Sequence, residues 1–454
     1  MSRDLFLVCL CCLPPSIAAA SQDSRPGSAA KPRSRLASKT EVAKLLRTAD
    51  EVSEQVAELR GWRFKREVKK GVYDEAELKK FIGKALFEEM GEGQLERHQW
   101  MLQELGLLPG GMDLEKTIVE VLLNQVGGFY DPKRNSFFMM AKTARYGEFV
   151  NRMMIAHELT HALDDQYFDL DAKMNAAGKD HDDEFAIGSV VEGSATVLMF
   201  RWQKDNRHLM SGPAEMKKMM QSEMERSKVL FEAPAYFLTL IARYMVGAHF
   251  LSKGKSMLQI MTSGSVGDAV KEALESPPVS SEQILHPEKY WNQDKIDLPV
   301  TMHAESRFTR LLCESLGAEL AGTDCLGEIH CAILGRKPGR KLNIMLMSNA
   351  SYWTNKAGQG WGGDRVFLLR RGREKGIAWV TWWDTEKDAE EFQARYEKHY
   401  GGRVDFRSAR DGRLALFTYG FCKDRAGALL DLVRRAGKAR KGTEPFPLTD
   451  EQDR

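Results

Sequence analysis

Apolar positions recur at spacings of three and four from Thr40 onward. Val42, Leu45, Leu46, Ala49, Val52 and Val56 share one side of a 3.6-residue period, which predicts a long amphipathic helix. Further helices are predicted around 75–90, 93–105 and 113–125. They are punctuated by Gly71, Gly91, Gly93 and Pro109-Gly110-Gly111, residues that interrupt helical backbone. Two aromatic-rich segments follow, Gly127-Gly128-Phe129-Tyr130-Asp131-Pro132 and Asn135-Ser136-Phe137-Phe138-Met139-Met140, and the turn between them predicts a hairpin or a strand pair. Helical periodicity returns from 147 to 275. The apolar stretch Tyr236 to Leu251 contains Arg243 and His249, and so reads as a buried helix, not a membrane span. Met210, Met216, Met219, Met220 and Met224 read as helix packing. Pro277-Pro278 breaks the region.

The last hundred residues are patterned differently. Arg365 to Leu369 and Ile377 to Trp383 alternate and are rich in β-branched and aromatic residues, as strands are. Thr385 to Tyr400 is a predicted helix carrying Ala389, Phe392 and Tyr396 on its apolar face. Val404 to Arg407 and Leu414 to Tyr419 are strands joined at Asp411-Gly412, and Lys423 to Ala436 is a terminal helix. The fold class is α+β, a mainly helical region followed by a small ββαββα layer.

Residues 1–20 have the pattern of a secretory signal peptide: one basic residue, the apolar run Leu5 to Leu13, then Ala18-Ala19-Ala20. Residues 21–39 read as a flexible basic linker, and 437–454 as a frayed tail. The expected location is therefore secreted, periplasmic or in the cell envelope. Three of the seven cysteines fall in the leader; of Cys313, Cys325, Cys331 and Cys422, the pair Cys325–Cys331 is a candidate loop staple. The chain has 454 residues, with 66 Lys+Arg against 64 Asp+Glu, a balance that gives no argument for a nucleic-acid partner.

The segment Met153-Met154-Ile155-Ala156-His157-Glu158-Leu159-Thr160-His161-Ala162-Leu163 carries HExxH inside an apolar helix. A spacing of four stacks His157 and His161 on one helix face, where both imidazoles can reach one Zn²⁺. Glu158 is turned about 100° away and can act as general base on the zinc-bound water. A catalytic zinc site needs a third protein ligand. Asp164 and Asp165 sit too near in the same helix, and His181, Asp182, Asp183 and Glu184 read as a solvated loop. Glu192 is a lone carboxylate in an apolar helix, costly unless paired or metal-bound, and is the favoured ligand; an ion pair with Arg201 or Arg243 is the alternative. Gly193 and Ala195 would let that helix approach the first closely. Tyr244, His286 and Tyr290 are the candidate oxyanion donors.

HExxH with a Glu on a later helix resembles the gluzincin group of zinc metallopeptidases. Together with Gly128 to Pro132, Val191 to Ala195 and Gln283-Ile284-Leu285-His286-Pro287-Glu288-Lys289-Tyr290, it also resembles exported bacterial and archaeal HExxH proteins. The resemblance spans roughly residues 55–395 and implies a zincin-like catalytic region. Thr196 stands where the thermolysin-like pattern has an Asp, so the partner of the histidines passes to Asp164, Asp165 or Asp169.

The expected organisation is a helical region at 40–125, an HExxH metallopeptidase-like region at 126–300 and a C-terminal α+β domain at 301–436. The expected activity is zinc-dependent hydrolysis of a peptide or protein substrate, with His157, His161 and Glu192 on the metal, Glu158 as base, and Tyr244 and His286 assisting. No nucleic-acid partner and no transmembrane span are expected. The alternative is a non-catalytic cell-envelope interaction protein with a structural or vestigial zinc site.

Overall fold

The computed structural model describes residues 8–10, 39–90, 93–210, 212, 228–230, 232–256, 259–260, 266–300, 307–339, 343, 346–347 and 349–436. The expected leader (except 8–10), linker (except 39) and tail, and most of the methionine-rich segment after Met210, lie outside the described residues.

Four helices lead the chain: α1 (Lys39–Arg60), α2 (Glu75–Met90), α3 (Gln94–Leu105) and α4 (Leu114–Gln125). Their ends follow local chemistry. Gly106 adopts a left-handed φ of 89° and closes α3 with its N–H, while the Asp113 carboxylate accepts the Lys116 N–H to cap α4. Strands β1 (Val8–Leu10), β2 (Lys69–Tyr73), β3 (Val126–Asp131) and β4 (Ser136–Met140) form one sheet in the order β1-β3-β4-β2. β3 and β4 are the expected hairpin, turned at Asn135 with φ 46°, and β2 adds parallel to β4.

The central helices are α5 (Glu148–Phe168), α6 (Leu170–Ala176), α7 (His181–Asp205), α8 (Ala235–Leu251) and α9 (Gly267–Glu275). α5, α7 and α8 are buried on nearly all sides, because β3, α1 and one another surround them. Short α10 (Ser281–Leu285) and α11 (Glu288–Trp291) follow. No helix among the described residues is long and apolar enough to cross a membrane.

The C-terminal part runs α12 (Arg307–Leu316), β5 (Glu319–Asp324), α13 (Gly327–Leu334), β6 (Trp361–Arg371), β7 (Glu374–Trp383), α14 (Glu386–Tyr400), β8 (Phe406–Asp411), β9 (Leu414–Gly420) and α15 (Ala426–Ala436). Its sheet order is β5-β6-β7-β9-β8, antiparallel throughout. Both faces are covered. Val366, Leu368, Ile377, Trp379 and Phe417 join the main core, while Phe367, Leu369, Ala378, Val380 and Leu416 pack with Phe308, Leu312, Leu429 and Val433 from α12 and α15. The main core runs without a break from Ala49 to Tyr419, across residue 300.

The fold is α+β. Among the elements that the sequence pattern did not predict are β5 and α13. β5 is half-exposed and holds Ala321-Gly322-Thr323, so it lacks apolar alternation; α13 is too short to show a period. The expected Cys325–Cys331 staple is corrected: Cys313, Cys325, Cys331 and Cys422 are all free, with Cys331 inside α13 and the Cys325 thiol 3.4 Å from Asp364 Oδ1. Residues 181–184 are corrected too. They are the first turn of α7, with His181, Asp182 and Glu184 buried, because Asp324, Tyr236 and Ser281 pack against it through hydrogen bonds.

Candidate metal centre

α5 carries His157 and His161 one turn apart with both Nε2 atoms facing α7. The two nitrogens are 3.1 Å apart, and Glu192 Oε2 of α7 lies 3.1 Å from His157 Nε2 and 3.6 Å from His161 Nε2. A tetrahedral ion with ligand bonds near 2.05 Å would separate its ligands by about 3.3 Å. Two imidazole nitrogens and one carboxylate oxygen at this spacing suit Zn²⁺ in both chemistry and size. Burial holds the His157 imidazole below its usual value. Burial also opposes ionisation of Glu192, but the neighbouring histidines outweigh it and hold the carboxyl below the usual range.

The position of Glu192 is set by the residues beside it. A Cβ on Gly193 would stand 2.2 Å from the carbonyl carbon of Gly247, so α7 and α8 touch backbone to backbone at that point. Gly193 thus gives close approach to α8, not to α5 as its sequence context suggested. Towards α5, contact is made by Ser194, whose hydroxyl donates to Asp164.

The carboxylates expected to orient the histidines do other work. Asp164 binds Ser194 and the guanidinium of Arg60, whose Nη2 is 3.0 Å away. Asp165 accepts from Tyr130 Oη at 2.7 Å and from the Leu170 N–H, and Asp169 caps α6 through the Ala172 N–H. The Nδ1 atoms of His157 and His161 have no hydrogen-bond partner among the described residues. Burial pushes Asp164 up against the pull of Arg60 and Ser194. Arg60, from the far end of α1, is the residue that sequence reading missed; its guanidinium is buried, and α1 ends in contact with α5 and α7.

Glu158 follows His157 and is fully buried beside β3. A Cβ on Gly128 would stand 2.9 Å from Met139 Sδ and 3.1 Å from the Phe138 carbonyl oxygen, with Glu158 Cγ at an ordinary contact distance of 3.4 Å, so it is β4 that crowds this position. Tyr244 of α8 stacks on His157, with ring centroids 5.6 Å apart and an 18° tilt. His286 is placed elsewhere. Its Nε2 pairs with Glu328 of α13 at 3.0 Å, and Tyr290 donates to the Ser276 carbonyl. Of the named candidates, the structure brings His157, Glu158, His161, Glu192 and Tyr244 into one neighbourhood. Arg201 reaches the Leu59 carbonyl, so it is not the partner of Glu192.

Residues 318–425, from the start of the C-terminal sheet to just before α15, match the family model described as a domain of unknown function, DUF8575. No curated protein and no solved structure gives a significant match to the chain.

Proposed function

We propose that the protein is an exported, zinc-dependent metallopeptidase of zincin type, with His157, His161 and Glu192 as the protein ligands. The observation that carries the reading is the tetrahedral spacing of two Nε2 atoms and one Oε2 atom, with Glu158 next in the same helix. A zinc ion held there would lower the pKa of a ligated water to near 7 and polarise a scissile carbonyl. Glu158 accepts a proton from the attacking water and returns it to the leaving amine. Its burial beside β3 keeps competing solvent from the carboxylate, and Tyr244 lies against His157, where a hydroxyl can donate to a developing oxyanion.

One observation favours a second reading. His157, Glu158 and His161 are each 0% exposed and Glu192 is 2% exposed, as in a closed structural metal site. A single experiment separates the two. The full chain and its Glu158→Gln variant are assayed for bound zinc and for cleavage of a mixed peptide library. Catalysis predicts about one equivalent of zinc at this site in both and turnover only in the unaltered chain. Zinc without turnover in either supports the closed site, and undiminished cleavage by the variant removes Glu158 as the base.

A further inference from the structure

A second group of metal-ligating side chains stands apart from the HExxH centre. His181 opens α7, Asp324 ends β5 and His98 projects from α3. Asp324 Oδ2 lies 2.7 Å from His181 Nδ1 and 3.6 Å from His98 Nε2, and one ligand atom from each residue lies within 4.8 Å of the other two. Among the described residues, the ion-pair partners of Asp324 are these two histidines alone. From His181 to Glu192 the rise of 1.5 Å per residue gives about 16 Å along α7, too far for the two centres to share a ligand.

We propose that His98, His181 and Asp324 form a second, structural site for a borderline divalent transition metal, zinc above all. Two imidazoles and a carboxylate are the donor set such ions take, and the three residues come from three different elements, α3, α7 and β5. The outer partners fit. His181 Nε2 lies 2.9 Å from Tyr236 Oη, the kind of contact that fixes a ligating imidazole with its other nitrogen turned to the ion. Asp324 Oδ1 accepts the His181 N–H at 2.9 Å, which anchors the carboxylate.

A neighbouring ring flanks the group. His330 donates Nδ1–H to the Leu326 carbonyl at 2.6 Å, so its Nε2 carries a lone pair. That Nε2 is buried without a hydrogen-bond partner among the described residues, and the ring lies 5.5 Å from that of His181. The carboxylates of Asp180, Asp182 and Asp183 flank His181; Asp180 is balanced by Arg365 at 2.7 Å and Asp182 accepts the Ser281 N–H. The ion would tie the C-terminal sheet to the helical body.

The test uses the full chain carrying His157→Ala, His161→Ala and Glu192→Gln, so that the HExxH centre is removed. After equilibration with Zn²⁺ or Co²⁺ and exhaustive dialysis, about one equivalent of metal should remain, and it should vanish when His98→Ala is added. Circular dichroism reports whether the fold persists. A folded triple variant without metal overturns the proposal, as does metal that survives both His98→Ala and Asp324→Asn. Should the triple variant not fold, His98→Ala alone in the otherwise unaltered chain should remove one equivalent, and an unchanged metal content overturns the site. Failure of the HExxH centre reads differently: the unaltered chain would then hold metal that responds to His98→Ala and not to His161→Ala.

Discussion

Gly193 and Gly247 face each other across α7 and α8 with no room for a side chain between them. A Cβ on Gly193 would meet Gly247 backbone at 2.2 Å, and one on Gly247 would meet the Ser189 carbonyl oxygen at 1.8 Å. Both obstacles are backbone, so a side chain can be accommodated only by separating the helices. Gly193→Ala is expected to destabilise the fold by about 1–3 kcal/mol, measured by urea unfolding. Because Glu192 is the adjacent residue, zinc affinity at the HExxH centre should fall as well. A variant that keeps its affinity would show that Glu192 is placed independently of this contact.

Arg60, Asp164 and Ser194 form a buried polar knot beside the histidines, with both charged side chains 2% exposed. Removing one partner leaves the other charge buried and uncompensated. Arg60→Met should therefore cost about 3–5 kcal/mol, while Arg60→Met with Asp164→Leu should cost much less. A double-mutant cycle on unfolding free energies measures the coupling; additive costs would mean that the pair contributes little as a pair.

Tyr244→Phe keeps the ring that stacks on His157 and removes only the hydroxyl. If that hydroxyl donates to the oxyanion, kcat should fall by about 10²-fold or more, with zinc content and KM nearly unchanged. An unchanged kcat would restrict Tyr244 to packing. His286→Ala should leave bound zinc unchanged, since that ring pairs with Glu328.

Glu282 is buried against Lys289, which also reaches Asp297 and Asp384 and so fills this acidic group with its own cation. Burial lifts the Glu282 carboxyl to about 7 in spite of Lys289, with Glu328 adding to the rise. The folded state then holds a proton that the unfolded chain releases near 4.5, so this residue contributes stability at low pH and loses it as pH rises towards 7. The span corresponds to at most about 3 kcal/mol. Melting temperatures from pH 5 to 8 should decline less steeply in Glu282→Gln, and an unaltered slope would assign the pH dependence to other groups.

Local pattern determined much of this chain. Periods of 3.6 and 2 marked the helices and most of the strands, because a side chain's face depends on near neighbours in sequence. The helix bearing His157, Glu158 and His161 was legible for the same reason, and Glu192 stood out as a carboxylate in an otherwise apolar helix. Tertiary structure decided what no spacing encodes. It chose Arg60 as the partner of Asp164, turned Gly193 towards Gly247, gave His286 to Glu328, and buried His181 against Asp324 and His98. Each joins residues far apart in the chain, and a polar side chain's partner is set by which surfaces the packed elements bring together.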